Sequence, residues 1–385
     1  MASQYDVIVL GLGGMGSAAL YHLARRGARV VGIEQFAVGN DRGSSHGQTR
    51  LIRQAYFEHP DYVPLLRRAY ELWSELGQHS GQLLLDPTGL VIWGPPVGGK
   101  VLPNLVASAQ VHNVPIEIFD DDAARRRFPL HQPPEGYRAV WEPNAGFLHV
   151  EACVLAHVHA AVSAGALVKA GTKAISWRPD GAGVAVELAA ETVRAKTLVL
   201  TQGAWSGAVL HELGVELKVH RNSLVWLQAS ENHSRVSGAP CFAFDLPTGF
   251  FYGFPSLDER GVKVALHLPG DPVTDLDARD APPTAQDAAP VVEFAQNCLK
   301  GVGPQVTQIR TCRYEMSPDD HFVVDTHPNW PQVVVAGGFS GHGFKFASVM
   351  GEVLADLALS GRTAMPVEFL SARRFSRPTS ASSLV

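Results

Sequence analysis

The chain has 385 residues, 46% of them hydrophobic and 18% charged, enough to bury the cores of two or three domains. A formal charge of -5, from 32 basic and 37 acidic side chains, speaks against nucleic-acid partners, which are held by lysine and arginine on phosphate. The start "MASQYDVIVLGLGG" has no basic stretch followed by an apolar one, and no apolar run approaches ~20 residues. Neither a secretory signal nor a membrane span is therefore expected, and the protein reads as soluble and cytoplasmic.

"YDVIVLGLGGMGSAALYHLARRGARVVGIEQF" predicts strand, glycine turn, helix and strand. Val7 to Leu10 suit a buried parallel strand, and Gly11, Gly13 and Gly16 follow in G-x-G-x-x-G spacing, with Gly14 and Met15 inside the turn. Gly27 closes the helix, and a second strand over 29–33 delivers Glu34 at its end. Each part has a physical reason. A side chain would keep backbone from a pyrophosphate, a helix N-terminus favours an anion, and a terminal acid accepts ribose hydroxyls. Glu34 disfavours a 2'-phosphate, so FAD or NAD is expected over NADP.

Next comes "SHGQTRLIRQAY" (45–56), whose Arg50 and Arg53 fit either a solvated basic edge or a site for an anion. "KTLVLTQGAW" (196–205) is another buried strand, running into a turn with Gly203 and Trp205. "FYGFPSLDERGVKVALHL" predicts a hairpin turning near Asp258 to Gly261. Its second strand alternates Val262, Val264 and Leu266 with Lys263, Ala265 and His267, so Lys263 and His267 share a face that periodicity alone assigns to solvent. With an even loop, Tyr252 joins that face. Residues 269–290 are rich in Pro, Asp and Ala and read as a mobile excursion with a helix start inside it. "QVVVAGGFSGHGFKFASVMGEVLADLALSG" (332–361) is a further strand, followed by Gly337, Gly338, Gly341 and Gly343 and a long helix. Such a C-terminal return suits a long cofactor, because a second helix N-terminus can then face the flavin pyrimidine ring, where negative charge collects on reduction. FAD is thereby favoured over NAD. The serine-rich tail from Arg377 is expected to be mobile.

Four cysteines are present, with no C-x-x-C pair, so neither a disulfide framework nor a metal site is expected. Cys312, in "RTCRY", differs from the others because Arg310 and Arg313 flank it and would favour its thiolate.

Together with the N-terminal glycine motif, "SHGQTRLIRQAY", "FYGFPS", "GVKVALH", "CRYEMSPDDHFVVD" (312–325) and "GFSGHGFKF" (338–346) resemble the monomeric sarcosine oxidase family, which includes N-methyltryptophan and pipecolate oxidases. The likeness runs in order over nearly the whole chain. It implies a flavoprotein oxidase of secondary amino acids whose FAD is attached covalently, as an 8α-S-cysteinyl thioether, at the position of Cys312. It assigns the substrate carboxylate to Arg53 and Lys345, and places Arg50, Ser45 and His46 against the flavin. Lys263 is implied above the flavin in oxygen activation, with Tyr252, His267 and Tyr314 lining the substrate cavity and His342 and Phe344 in the flavin-binding turn. Two departures stand out: "PTGFFYGF" carries Thr248 where the family often has Asn before the glycine, and Arg313 follows the cysteine where a smaller or uncharged residue is expected.

The expected architecture is α/β, a Rossmann-like FAD-binding domain of the glutathione-reductase/D-amino acid oxidase type (1–85, 146–218 and 311–385) with a mostly antiparallel substrate domain (86–145 and 219–310). The expected partners are a small secondary amino acid and O2, with no nucleic acid or membrane, and the protein is expected to be a monomer. A sarcosine-like substrate is favoured. The alternatives are a flavin dehydrogenase serving an electron carrier, a primary D-amino acid or glycine oxidase, and a nucleotide-binding module without catalysis.

Overall fold

The structure, a computed structural model, describes residues 4–375; the serine-rich tail lies outside the described residues. Strand Tyr5–Leu10 is buried on both faces. Val7 and Val9 pack with Leu20 and Leu23 of helix Gly14–Arg25, whereas Ile8 and Leu10 pack with Val209 and Leu210 on the other side. This two-sided burial is why the strand reads as a continuous apolar run. It pairs in parallel with Val30–Ile33 and with Thr192–Leu200. Leu167–Lys169 and Trp330–Gly337 extend the parallel array at either side. Gly183–Glu187, Ser176–Asp180 and Val323–His327 add antiparallel strands to give eight in all.

A nine-stranded sheet forms the second layer, antiparallel except where Cys241–Leu246 runs parallel to Leu90–Gly94. Its hairpin, Gly249–Phe254 with Val262–Leu266, sets Tyr252 opposite Ala265, so Tyr252 shares a face with Lys263 and His267 as an even loop requires. That face is not solvent: Lys263 is 1% exposed. Strand Val302–Met316 pairs with Lys218–Ala229 from Met316 back to Val302. A boundary at 310/311 therefore falls inside a strand, and residues 311–316, Cys312 included, extend the antiparallel sheet before the chain returns to the parallel one. The helix start expected within 269–290 is at Ala285, where Thr284 and Asp287 form a capping box. A small third sheet, Thr49–Ile52, Gly146–His149 and Leu85–Asp86, carries Arg50 and leads directly to Arg53.

Helix Ala347–Ser360 packs on Gly14–Arg25, with Gly351 against Ala18. Alanine at 351 would gain the ~1 kcal/mol by which it surpasses glycine in a helix. Its methyl, however, would stand 2.5 Å from the Ala18 carbonyl carbon. Overpacking costs ~1–3 kcal/mol, so Gly351→Ala is expected to lower stability by up to ~2 kcal/mol net, measured as a fall in the urea midpoint.

Candidate active site

One elongated cavity of about 350 Å³ brings together most of the residues singled out by the sequence. At one end it begins on the glycine turn. Gly11 sits at φ +87°, and a Cβ there would stand 2.5 Å from the Thr201 carbonyl oxygen, so only glycine lets the strand, the turn and Thr201 close up. A Cβ at Gly16 would collide with the Gly11 carbonyl. Gly13 caps helix Gly14–Arg25 with no side-chain bond, and Ser45 Oγ accepts the Gly14 N–H at 2.9 Å. Glu34 accepts N–H groups from Leu12 (2.8 Å) and Phe36 (3.0 Å), and burial pushes its carboxyl up. Met15, Gly203 and Trp205 complete this end, with the Phe36 and Trp205 rings 5.6 Å apart. A glycine cradle, an open helix N-terminus and a ribose-type acid are the donor set of a dinucleotide site.

At the other end cations dominate. Arg53 is 4% exposed, so it is no solvated edge. Its guanidinium donates from Nη1 to the Ala55 carbonyl (2.7 Å) and from Nη2 to both Glu58 carboxylate oxygens (2.7 and 2.9 Å), while lying over the rings of Tyr56 (4.2 Å) and Phe57 (4.1 Å). Burial alone would raise the Glu58 carboxyl, but Arg53, His342 and Lys345 outweigh it and bring it down to about 2. Lys345, in the 3-10 turn before the last helix, donates to the His342 carbonyl at 2.7 Å. Burial, with Arg53 beside it, lowers its pKa to about 7. Arg50 donates to the carbonyls of Thr49 (3.0 Å) and Ser44 (2.9 Å), neutral acceptors, and its charge helps hold the Glu151 carboxyl below its ordinary range.

Tyr252, Tyr314 and His267 form one polar wall, the two hydroxyls 3.4 Å apart and His267 Nδ1 3.3 Å from that of Tyr314. Burial lowers His267 to about 4, so it is neutral. His342 is likewise neutral, lowered to about 3 by burial, accepting the Tyr56 hydroxyl at 2.6 Å and donating to the Asp320 carbonyl. Gly341, Gly343 and Phe344 line the same turn, and a Cβ at Gly341, at φ +76°, would press on the Tyr314 ring.

The described residues match the FAD dependent oxidoreductase (DAO) family over residues 6–357. The chain belongs to this family. It is 40% identical over 380 residues to a monomeric sarcosine oxidase of Streptomyces avermitilis, covering 97% of this chain and 98% of that one. It is 34% identical to an N-methyl-L-tryptophan oxidase of Yersinia pestis, covering 97% and 100%. NikD, an unusual amino acid oxidase essential for nikkomycin biosynthesis, superposes with a TM-score of 0.83 at 25% identity, covering 96% of this chain and 98% of that one. The cofactor of the family is thus FAD, and the glycine cradle, Ser45 and Glu34 fit its dinucleotide half.

Not every residue sits where the sequence suggested. The cations that act on Cys312 are Arg50 and Lys263, not its neighbours: strand alternation turns Arg313 to the opposite face, where it binds Asp280, and Arg310 is exposed. Burial still pushes the thiol up overall, against those two charges. Lys263 and His46 do not line the cavity. Lys263 lies behind its wall, donating to the carbonyls of Gly47 (2.6 Å) and Thr49 (2.7 Å) beneath the Phe254 ring, and burial drives its pKa well down. His46 donates from Nε2 to the Gly43 carbonyl. Residues 241–250, which the sequence places along the substrate cavity, contribute only Phe250 to its wall. Sequence reasoning missed Glu58 and Glu315. Glu58 follows Arg53 by five residues in a loop, where no periodicity pairs them. Glu315, pushed up to about 8 by burial, alternates with Tyr314 and so faces the Gly203 side. Its position in "CRYEM" was the available signal.

Lys345 is a cation below about pH 7 and neutral above it, so affinity for an anion should be full at low pH and fall as pH rises. Calorimetry with acetate, whose own charge is constant above pH 6, is expected to show Kd rising by about tenfold per pH unit above the Lys345 pKa, and Lys345→Met should abolish the slope.

Proposed function

We propose that the protein oxidises secondary amino acids, of which an N-methyl amino acid of the sarcosine type is the favoured substrate, with O2 as electron acceptor and H2O2 as product. The observation that carries this reading is the pairing of Arg53 and Lys345 inside an aromatic enclosure at one end of the cavity whose other end is the glycine cradle. A buried carboxylate is tolerated only where cations and hydrogen bonds replace its water. Arg53 offers a guanidinium of which Glu58 engages only Nη2, and Lys345 offers a compact charge, so an incoming carboxylate exchanges with or adds to Glu58 at a site built for that group. Each charge-assisted bond contributes ~1.5–3 kcal/mol.

The same charges select the form of the amine. With Arg50 and Arg53 at this end and Lys345 beside them, an ammonium group is repelled and the neutral amine is favoured, which is the form that can give up a hydride equivalent from its neighbouring carbon. Tyr252, Tyr314 and neutral His267 shape the wall beside it and offer hydroxyl and imidazole hydrogen bonds without adding charge. FAD, when bound, takes up the hydride equivalent and passes the electrons on to oxygen. Water then hydrolyses the imine in solution, releasing formaldehyde and the primary amino acid from an N-methyl substrate. Lys263 keeps its amine among carbonyl oxygens behind the wall, a position from which, when protonated, it would favour negative charge developing on oxygen. The names of the sarcosine and N-methyltryptophan oxidase relatives support this substrate class.

For the cofactor link we infer a thioether at Cys312, a residue of the cavity wall with Arg50 and Lys263 acting to favour its thiolate; forming it would break the S–H bond and one 8α C–H bond and leave two electrons on the flavin, which O2 would remove as H2O2. Acid-precipitated wild-type protein is expected to remain yellow, and Cys312→Ser protein to give a colourless pellet; yellow colour in both pellets would refute the link. A panel of sarcosine, N-methyltryptophan, pipecolate and glycine, followed by peroxide release in air, is expected to respond to the secondary amines and not to glycine. Flavin bleaching by these amines without peroxide would instead mark a dehydrogenase.

A further inference from the structure

Arg313 is buried to 1% exposure and takes no part in the chemistry above. Among the described residues its guanidinium makes four hydrogen bonds, and all go to one short segment: Leu276 O (2.8 Å), Ala278 O (3.2 Å) and both oxygens of Asp280 (2.9 and 3.4 Å). The same segment is gripped by other residues of the cofactor end. Trp205 Nε1 donates to Asp277 (3.2 Å), Lys173 Nζ pairs with Asp277 (2.7 Å), and Arg42 donates to the carbonyls of Asp277 and Ala278 (both 3.0 Å). Arg42, Phe36, Trp205 and Arg313 stack in that order, at 4.9, 5.6 and 5.1 Å. Phe36, Trp205, Lys173 and Arg313 are themselves cavity wall.

The segment is built unlike the rest of the molecule. No residue from 271 to 284 is fully buried, and its aliphatic side chains Val273 and Leu276 are only half-buried, so little apolar burial holds it down. Both its ends belong to the antiparallel sheet, Asp271–Pro272 paired with His220 and Arg221 and Ala281 O bonded to Arg221. Its middle lies on loops of the parallel sheet. Prolines at 272, 282 and 283 stiffen both ends. A strap held mainly by polar contacts sits at the low-stability end of a fold. Its opening strips a buried guanidinium of every partner, which gives the closed state a defined latch.

We propose that residues 273–281 are the closing element of the FAD site, that Arg313 is the positioning residue that latches it, and that the cofactor enters by its opening. The inference rests on reading the cavity as an FAD site. Two measurements on the full-length chain, prepared without FAD from riboflavin-starved cells, test it. FAD uptake, followed by quenching of FAD fluorescence, is expected to be about tenfold faster in Asp277→Ala/Asp280→Ala than in wild type, the factor that ~1.4 kcal/mol of lost latch corresponds to, and wild-type uptake should quicken with added salt. Trypsin should cut wild-type protein after the exposed Arg279 when FAD is absent and spare that bond once FAD is loaded, a result that needs no variant. Equal uptake rates, or equal cutting with and without FAD, would overturn the strap while leaving the FAD site standing. Failure of either protein to take up FAD would overturn the reading of the cavity itself, and the strap with it.

Discussion

Burying like charges together is the constraint on which the candidate site depends. Arg50, Arg53 and Lys345 converge on one end of a cavity with Lys263 behind its wall; the Glu58 carboxylate answers Arg53 and Lys345, and that of Glu151 acts on Arg50 and Lys263. Each remaining charge is held by carbonyl oxygens or aromatic faces, which lower the cost of desolvation without cancelling the field. That residual positive field is what the proposed carboxylate site rests on, and at Cys312 it opposes the rise that burial gives the thiol.

The fold makes this arrangement affordable by dividing the work between two sheets. The parallel sheet supplies what a pyrophosphate and ribose need: backbone N–H groups, a helix end and Glu34. The antiparallel sheet presents Tyr252, His267, Cys312 and Tyr314 from neighbouring strands on one side. Rigid ladders hold such side chains more firmly than loops do, which matters where a carbon must meet a cofactor at contact distance. The small sheet bearing Arg50 and the turn bearing Lys345 close the gap between the two.

Much of the site was legible because its residues belong to local patterns. The strand, glycines and Glu34 of the first forty residues follow from sterics and helix electrostatics that act within a few residues of each other. Tyr252, Lys263 and His267 share a face because side chains alternate along strands, a rule that also holds when the face is buried. What the alternation did not carry was the environment: Lys263 reads as a solvent lysine until the neighbouring carbonyls of Gly47 and Thr49 are in place. Arg53 was legible as a cation, but its partner Glu58 was not, since loop geometry has no period.

By itself the sequence determined the dinucleotide motif, the two sheet types and the family resemblance, because each rests on short-range sterics, periodicity or contiguous motifs; Arg53 and Lys345 entered as carboxylate-binding candidates through that resemblance alone. Only the tertiary structure decided which charges meet. It turned Arg313 away from Cys312 and onto residues 276–280, assigned Arg50 and Lys263 to the thiol in its place, and moved residues 311–316 into the antiparallel sheet. The physical reason is that electrostatic neighbours are set by strand alternation and long-range pairing. Adjacency along the chain, which sets two neighbouring residues on opposite faces of a strand, is a poor guide to adjacency in space.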